Sequence, residues 1–185
     1  MFDKAEIQVK AGDGGDGAVS FRKEKFVPYG GPDGGDGGKG GDVIIRAEGT
    51  YDDLRKYRQK RLHKAEAGSN GAGRKKHGKN GKDFVIGVPP GTIVAIVDDG
   101  GTRNVIADLK SPGETVTAAR GGRGGQANVH FASSVNQAPH IAQRGEAGEE
   151  AIISLEMRLI ADVGIIGYPN AGKSTLLRAA SAAQP

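Results

Sequence analysis

Glycine recurs at every third position in six separate stretches of this 185-residue chain. In GGPDGGDGGKGG, from Gly30 to Gly41, one file holds Gly31, Gly34, Gly37 and Gly40, and a second holds Gly35, Gly38 and Gly41. The same step gives Gly12/Gly15 with Gly14/Gly17, then Gly68/Gly71, Gly78/Gly81, Gly121/Gly124 with Gly122/Gly125, and Gly145/Gly148. Three residues is the repeat of the left-handed polyproline II helix, which rises about 3.1 Å per residue and makes no internal hydrogen bonds. Glycine at every turn leaves such a helix a bare face, so neighbouring backbones can approach within reach of N–H···O and Cα–H···O contacts. The stretches are too short and proline-poor for a collagen triple helix. They predict a bundle of left-handed helices within one chain, with Asp33, Asp36 and Lys39 as the exposed third file of the longest one. Flexible linkers need no period, and connections between consecutive strands usually take only about 2–6 residues.

Ordering so many glycines is entropically expensive, and something that folds well must anchor them. The intervening runs AEIQVKA, AVSF, DVIIRA, DFVIGV, TIVAIV, ETVTAA and AIISLEMRL carry the β-branched content and partial alternation of strands. They predict a mainly β fold, a small barrel or sandwich. DDLRKYRQKRL predicts a short helix with Leu54, Tyr57, Arg58 and Arg61 on one face. The lack of cysteine excludes a disulfide framework and thiolate metal sites. His63, His77, His130 and His140 lack metal-ligand spacing and read as surface residues. Nothing resembles a signal peptide or a membrane span, so a cytoplasmic monomer is expected.

The net charge of +4 conceals a local excess. Arg55 to Lys82 holds eleven Lys or Arg against the single acid Glu66, a charge of +10 that leaves −6 for the rest. Such a patch suits a polyanion, because each phosphate neutralised releases counterions. RNA is favoured over DNA, since helix-turn-helix, zinc-finger and basic-zipper patterns are absent. Arg74, Lys75, Lys76, Lys79 and Lys82 are the first candidates for phosphate contacts, followed by Arg22, Lys23 and Lys25. A solvated charged face is the plainer reading of the same residues.

Near the end, ADVGIIGYPNAGKSTLLRAA satisfies G-x-x-x-x-G-K-[ST] through Gly167, Gly172, Lys173 and Ser174. An apolar run precedes the motif and a helix-like run follows it, the strand-loop-helix setting of a phosphate-binding loop. In that setting backbone N–H groups converge on phosphates, Lys173 reaches the β and γ groups, and the Ser174 hydroxyl ligates Mg²⁺. Gly73, Gly78 and Lys79 come close to the same pattern, but Asn80 stands where Ser or Thr is needed and no apolar run precedes them. After Ser174 only eleven residues remain, without a D-x-x-G or N-K-x-D element. The expectation is a piece of a longer nucleotide-binding protein that, by itself, binds nucleotide poorly and hydrolyses none.

GDGGDGAVSFRKEKFVPYGGPDGGDGGKGGDV, GRGGQANVHFASSVNQAP, GEAGEE and LIADVGIIGYPNAGKSTLL occur in that order, and on them the chain resembles the Obg GTPases. The resemblance implies a glycine-rich domain over residues 1–160, with left-handed helices projecting from a small β-barrel. It also implies the first strand-loop-helix of a Ras-like α/β G domain over 161–185. It further implies GTP and GDP as nucleotides, with ppGpp a related ligand that would tie the protein to the stringent response. A nucleotide loop would be formed by Gly167, Tyr168, Pro169, Asn170, Ala171, Gly172, Lys173, Ser174 and Thr175, with Mg²⁺ on Ser174. Catalytic residues cannot be carried onto this chain. The implied partner is the large ribosomal subunit and its RNA, and the implied role is in that subunit's assembly. A structural or protein-interaction module ahead of a nucleotide-binding enzyme is the alternative.

Overall fold

A computed structural model describes residues 4–22, 30–51, 53–59, 62–98, 100–158, 166, 168 and 172–180. Among the described residues, eight strands form two mixed sheets. They are β1 (Lys4–Lys10), β2 (Val43–Ala47), β3 (Leu62–Lys64), β4 (Phe84–Val88), β5 (Thr92–Val97), β6 (Arg103–Leu109), β7 (Thr115–Ala119) and β8 (Glu150–Met157). One sheet runs β3-β1-β8-β5-β6 and the other β4-β2-β7. Alternation works as expected in β1, where Ala5, Ile7 and Val9 are buried while Glu6 and Gln8 face out. Register then stacks apolar residues: Ile7 opposes Ile153, Ile153 opposes Ile96, and Ile45 opposes Ile86. Both sheets contribute to one core, which Leu54 and Tyr57 close from around the short helix α1 (Arg55–Gln59). Of the expected helix face, Leu54 and Tyr57 are buried; the side chains of Arg58 and Arg61 lie outside the described residues.

The mainly β expectation holds, with three differences in detail. Two strand pairs are parallel, β1 with β3 and β2 with β4, so the sheets are mixed. Ala18–Phe21 of AVSF form no strand: Ala18 N–H donates to Gly35 O at 3.0 Å, continuing the first glycine stretch, and only Phe21 makes a lone bridge, to Pro32. Neither edge strand of the larger sheet was foreseen: Leu62, at the end of the run expected to be helical, opens β3, and no run was picked out for β6. The outer half of β6, Arg103 to Val105, is exposed throughout, Val105 included, which erases the alternation, although the Asp98–Gly101 turn before it is an ordinary hairpin signal.

The strands lead directly into the glycine stretches: β1 into 11–22, β3 into 65–72, and β7 into 120–127. The return stretches 30–42, 76–83 and 142–149 lead into β2, β4 and β8. The stretches lie side by side, joined by backbone hydrogen bonds that step by three. Gly12, Gly15 and Ala18 donate to Gly41, Gly38 and Gly35; Gly78 and Gly81 donate to Asp36 and Lys39; Gly122 and Gly125 donate to Gly12 and Gly15. Neighbours alternate in direction along the chain, so three hairpins project from the β body.

Glycine is needed here for close approach. Among the described residues, glycines with positive φ are Gly91, Gly101, Gly113 and Gly172, none of them in the array. A Cβ on Gly37 would instead come within 3.0 Å of the Gly15 carbonyl carbon and oxygen. Gly31 departs from its file, since a Cβ there would meet nothing within 4 Å.

The third file differs from expectation more sharply. Asp33 and Asp36 are half-buried, and only Lys39 is exposed. Acid and amide side chains here cap N–H groups on neighbouring stretches. Asp13 and Asp16 accept from Gly148 and Gly145 at 2.9 Å each; Asp36 and Asp42 accept from Ala127 and Gly121 at 2.7 Å each. In return, the N–H groups of Asp36, Lys39 and Asp42 donate to His77 Nδ1, Asn80 Oδ1 and Asp83 Oδ1, themselves a file of three.

Energetics explain why the array grows out of strands. Ordering each residue's backbone costs about 1–2 kcal/mol, and a net hydrogen bond returns about 0.5–1.5 kcal/mol. Bonds that step by three number fewer than one per residue, so the array alone runs at a deficit that apolar burial in the β body offsets.

The caps give the array an acid-sensitive component. Burial favours the neutral form of Asp36, but the Ala127 N–H, the hydrogen bond and charge of His130 and the charge of His77 outweigh it, holding the carboxyl below its ordinary value. Asp42 is likewise held down against burial by the Gly121 N–H, Lys39 and Arg120. A depressed carboxyl stabilises the fold above the unfolded pKa, and that stability is lost as pH falls through the folded value. Thermal melts should therefore drop below about pH 4, the ordinary carboxylate range. Asp36→Asn should start lower at neutral pH and fall less steeply in acid; parallel pH profiles would contradict this.

Candidate nucleic-acid interface and phosphate loop

The hairpin formed by residues 65–72 and 76–83 turns through Gly73, Arg74 and Lys75, closed by a bridge between Ala72 and Lys76. Arg74 and Lys75 both have left-handed backbones, φ 63° and 54°. That conformation costs a residue bearing a Cβ roughly 1–2 kcal/mol. Asp33 on the neighbouring hairpin holds the turn: its carbonyl accepts from the Lys75 N–H at 2.7 Å and its Oδ2 from the Arg74 N–H at 3.3 Å. The backbone contacts leave both cationic side chains to project outward, and Arg74, Lys75 and Lys76 are all exposed.

Lys79 and Lys82 are also exposed and follow Lys76 at steps of three along the return stretch, so the three lysines form one file leading back toward β4. Arg22 lies at the tip end too, its N–H donating to Gly31 O at 3.1 Å, with Ser20 beside Gly73. Lys23 and Lys25 fall outside the described residues. The five first candidates thus share one hairpin, and Arg22, on the neighbouring hairpin, joins Arg74, Lys75 and Lys76 at the tip end.

Sequence reasoning missed what surrounds them. Asp33 holds the turn and Asn128 is fully buried, while Val135 and Ile141 expose apolar surface in the 128–142 connection, 96% and 58% accessible. The histidines are not all surface groups. His63 is buried between the rings of Tyr57 and Phe84, at 5.7 Å from each. His130 and His77 flank Asp36 at 3.0 and 3.6 Å, and His140 packs on Phe21 at 4.6 Å. Among the described residues no group of His, Asp or Glu is arranged to hold a metal ion.

In the phosphate-loop motif, α2 (Lys173–Ala180) begins at the lysine itself, and Leu176 N–H makes a helical bond to Gly172 O at 2.9 Å. Gly172 is left-handed, φ 75°, which glycine accepts without strain. Lys173 Nζ donates to Tyr168 O at 2.6 Å. Ser174 and Thr175 are exposed in the first turn, where N–H groups lack intrahelical partners. Tyr168 is exposed; Gly167, Pro169, Asn170 and Ala171 lie outside the described residues. No helix among the described residues is long and apolar enough to cross a membrane.

A mainly β domain drawn out into a glycine-rich array, ahead of a helix opening on Gly-Lys-Ser-Thr, is the class of protein these elements define. The chain belongs to the GTP1/OBG family, whose model matches residues 2–159. A second model, described as 50S ribosome-binding GTPase, matches residues 162–185. All 185 residues align with proteins called GTPase Obg: 55% identical to that of Persephonella marina, 54% to that of a Sulfurihydrogenibium species and 56% to that of Dehalococcoides mccartyi. The alignments cover 54%, 53% and 44% of those proteins, so the chain spans about half the length of the curated relatives it matches.

Proposed function

We propose that this chain is the RNA-facing arm and the opening of the nucleotide switch of an Obg-type GTPase acting in assembly of the large ribosomal subunit in the cytoplasm. Residues 1–160 form the arm, its six glycine stretches being left-handed polyproline II-type helices, and 161–185 begin the G domain. The stepping of hydrogen bonds by three and the negative φ of the array's glycines support the helical reading. One observation carries the functional reading: two adjacent cationic residues are held in a costly backbone conformation at an exposed tip, where solubility alone would not require it. Arg74, Lys75, Lys76, Lys79 and Lys82, with Arg22, Lys23 and Lys25, are the proposed phosphate contacts.

In the switch, the loop from Gly167 to Thr175 takes the phosphates of GTP or GDP, and of ppGpp as a related ligand. Lys173 exchanges the Tyr168 carbonyl for phosphate oxygens, and Gly172 allows close backbone approach. The exposed Ser174 hydroxyl suits an oxygen-seeking divalent cation and would hold Mg²⁺, which neutralises phosphate charge when bound. Hydrolysis belongs to the full-length protein, and the 185 residues alone are expected to be inactive.

A second reading, docking to a protein, is favoured by Val135 and Ile141 at the same end. Salt dependence separates the two. Five phosphate contacts at a slope of about −0.7 each predict a roughly hundredfold loss of affinity for large subunits between about 50 and 200 mM salt. Binding that stays constant across that range would sink the RNA reading in favour of protein docking.

A further inference from the structure

We propose that Asn128 is the positioning residue that fixes the distal ends of the three hairpins relative to one another. This rests on the reading of that end as the partner-facing one. Asn128 is fully buried, and its amide reaches separate parts of the array. Oδ1 accepts from the Gly34 N–H at 3.1 Å, while Nδ2 donates to Ser20 O at 3.0 Å and to Pro139 O at 3.3 Å; the Asn128 N–H itself donates to Ala18 O at 3.2 Å. Ser20 and Gly34 belong to the two stretches of the first hairpin, and Asn128 and Pro139 lie in the 128–142 connection of the third.

The second connection is tied in one step further on. Ser20 O also accepts from the Asp33 N–H at 2.9 Å, and Asp33 is the residue that holds Arg74 and Lys75. The orientation of the side-chain amide is fixed by its partners, because a donor faces the oxygen and two carbonyls face the nitrogen. Aspartate has the shape but not the donors, leucine has neither donor nor acceptor, and glutamine is too long for a site without free space. Gly34 fits the same logic, since a Cβ there would crowd the Ala18 carbonyl and come within 3.0 Å of Asn128 Oδ1.

The test is Asn128→Asp in the 185-residue chain, which keeps volume and the Gly34 contact but sets a carboxylate against two carbonyls. Amide exchange at Asp33 and Lys75 should accelerate at least about tenfold, as expected for loss of buried hydrogen bonds. Exchange at the core residues Val94 and Ile153 should stay as in the wild type. Affinity for isolated large ribosomal subunits should fall at least about tenfold, a change that loss of global stability well below the melting temperature would not produce. Unchanged exchange at Asp33 and Lys75 would overturn the proposal, as would faster exchange with undiminished binding. If Asn128→Asp does not fold, Asn128→Ser is read by the same amides. A wild-type chain that does not bind subunits would overturn the functional reading instead, while exchange still decides whether Asn128 fixes the tip.

Discussion

Gly37→Val should lower the melting temperature by at least about 10 °C, whereas Gly31→Val, two turns away in the same sequence file, should change it little. The added Cβ at Gly37 would press against the carbonyl of Gly15, whose N–H is bonded to Gly38 O. Neither partner is a flexible side-chain end that can swing aside. Relief requires the two central stretches to separate, breaking bonds on both sides: Gly37 N–H to Gly125 O, and Gly125 N–H to Gly15 O. Overpacking an apolar core costs about 1–3 kcal/mol, and a clash of backbone on backbone inside a hydrogen-bonded array should exceed about 4 kcal/mol. At about 2–4 °C per kcal/mol for a chain of this size, the expected drop follows. Gly31 has open space in place of the carbonyl, so its substitution serves as the control. Paired thermal melts by circular dichroism decide the matter, and equal melting temperatures for the two variants would mean the stretches do not pack as seen.

The period of three was legible because it is a property of the residues themselves. Close approach every third residue forbids side chains there whatever the neighbour is. The apolar strands were legible for a similar reason, since burial of Ile7, Val9, Ile45 and Ile153 leaves the same mark in any two-sheet arrangement. What could not be read was the identity of each neighbour. Asp13, Asp16, Asp36 and Asp42 look like solvated loop acids, and their capping role appears only when residues over 75 positions apart come together. Asn128 was similarly hidden, because nothing in QANVHF marks its amide as buried among partners from distant stretches. The basic candidates were found by charge counting, which gave their residues but not the left-handed turn that displays Arg74 and Lys75.

That turn makes a charge reversal at the tip unusually clean. Replacing Arg74, Lys75 and Lys76 together with Glu should weaken binding to large ribosomal subunits at least about tenfold while leaving the melting temperature nearly unchanged. Glutamate bears a Cβ as arginine and lysine do, so the backbone strain at positions 74 and 75 is the same before and after. The contacts holding the turn come from the N–H groups of Arg74 and Lys75 to Asp33, which no side-chain change removes. Loss of three cations should also make the salt dependence shallower by about two units of slope, with Lys79 and Lys82 still contributing along the shaft. Global misfolding would abolish binding without leaving a shallower line, so affinity measured across a salt series separates the two causes. A variant that binds as tightly as the wild type, with the same slope, would remove the tip from the interface and shift the RNA contact to the Lys79 and Lys82 side of the arm.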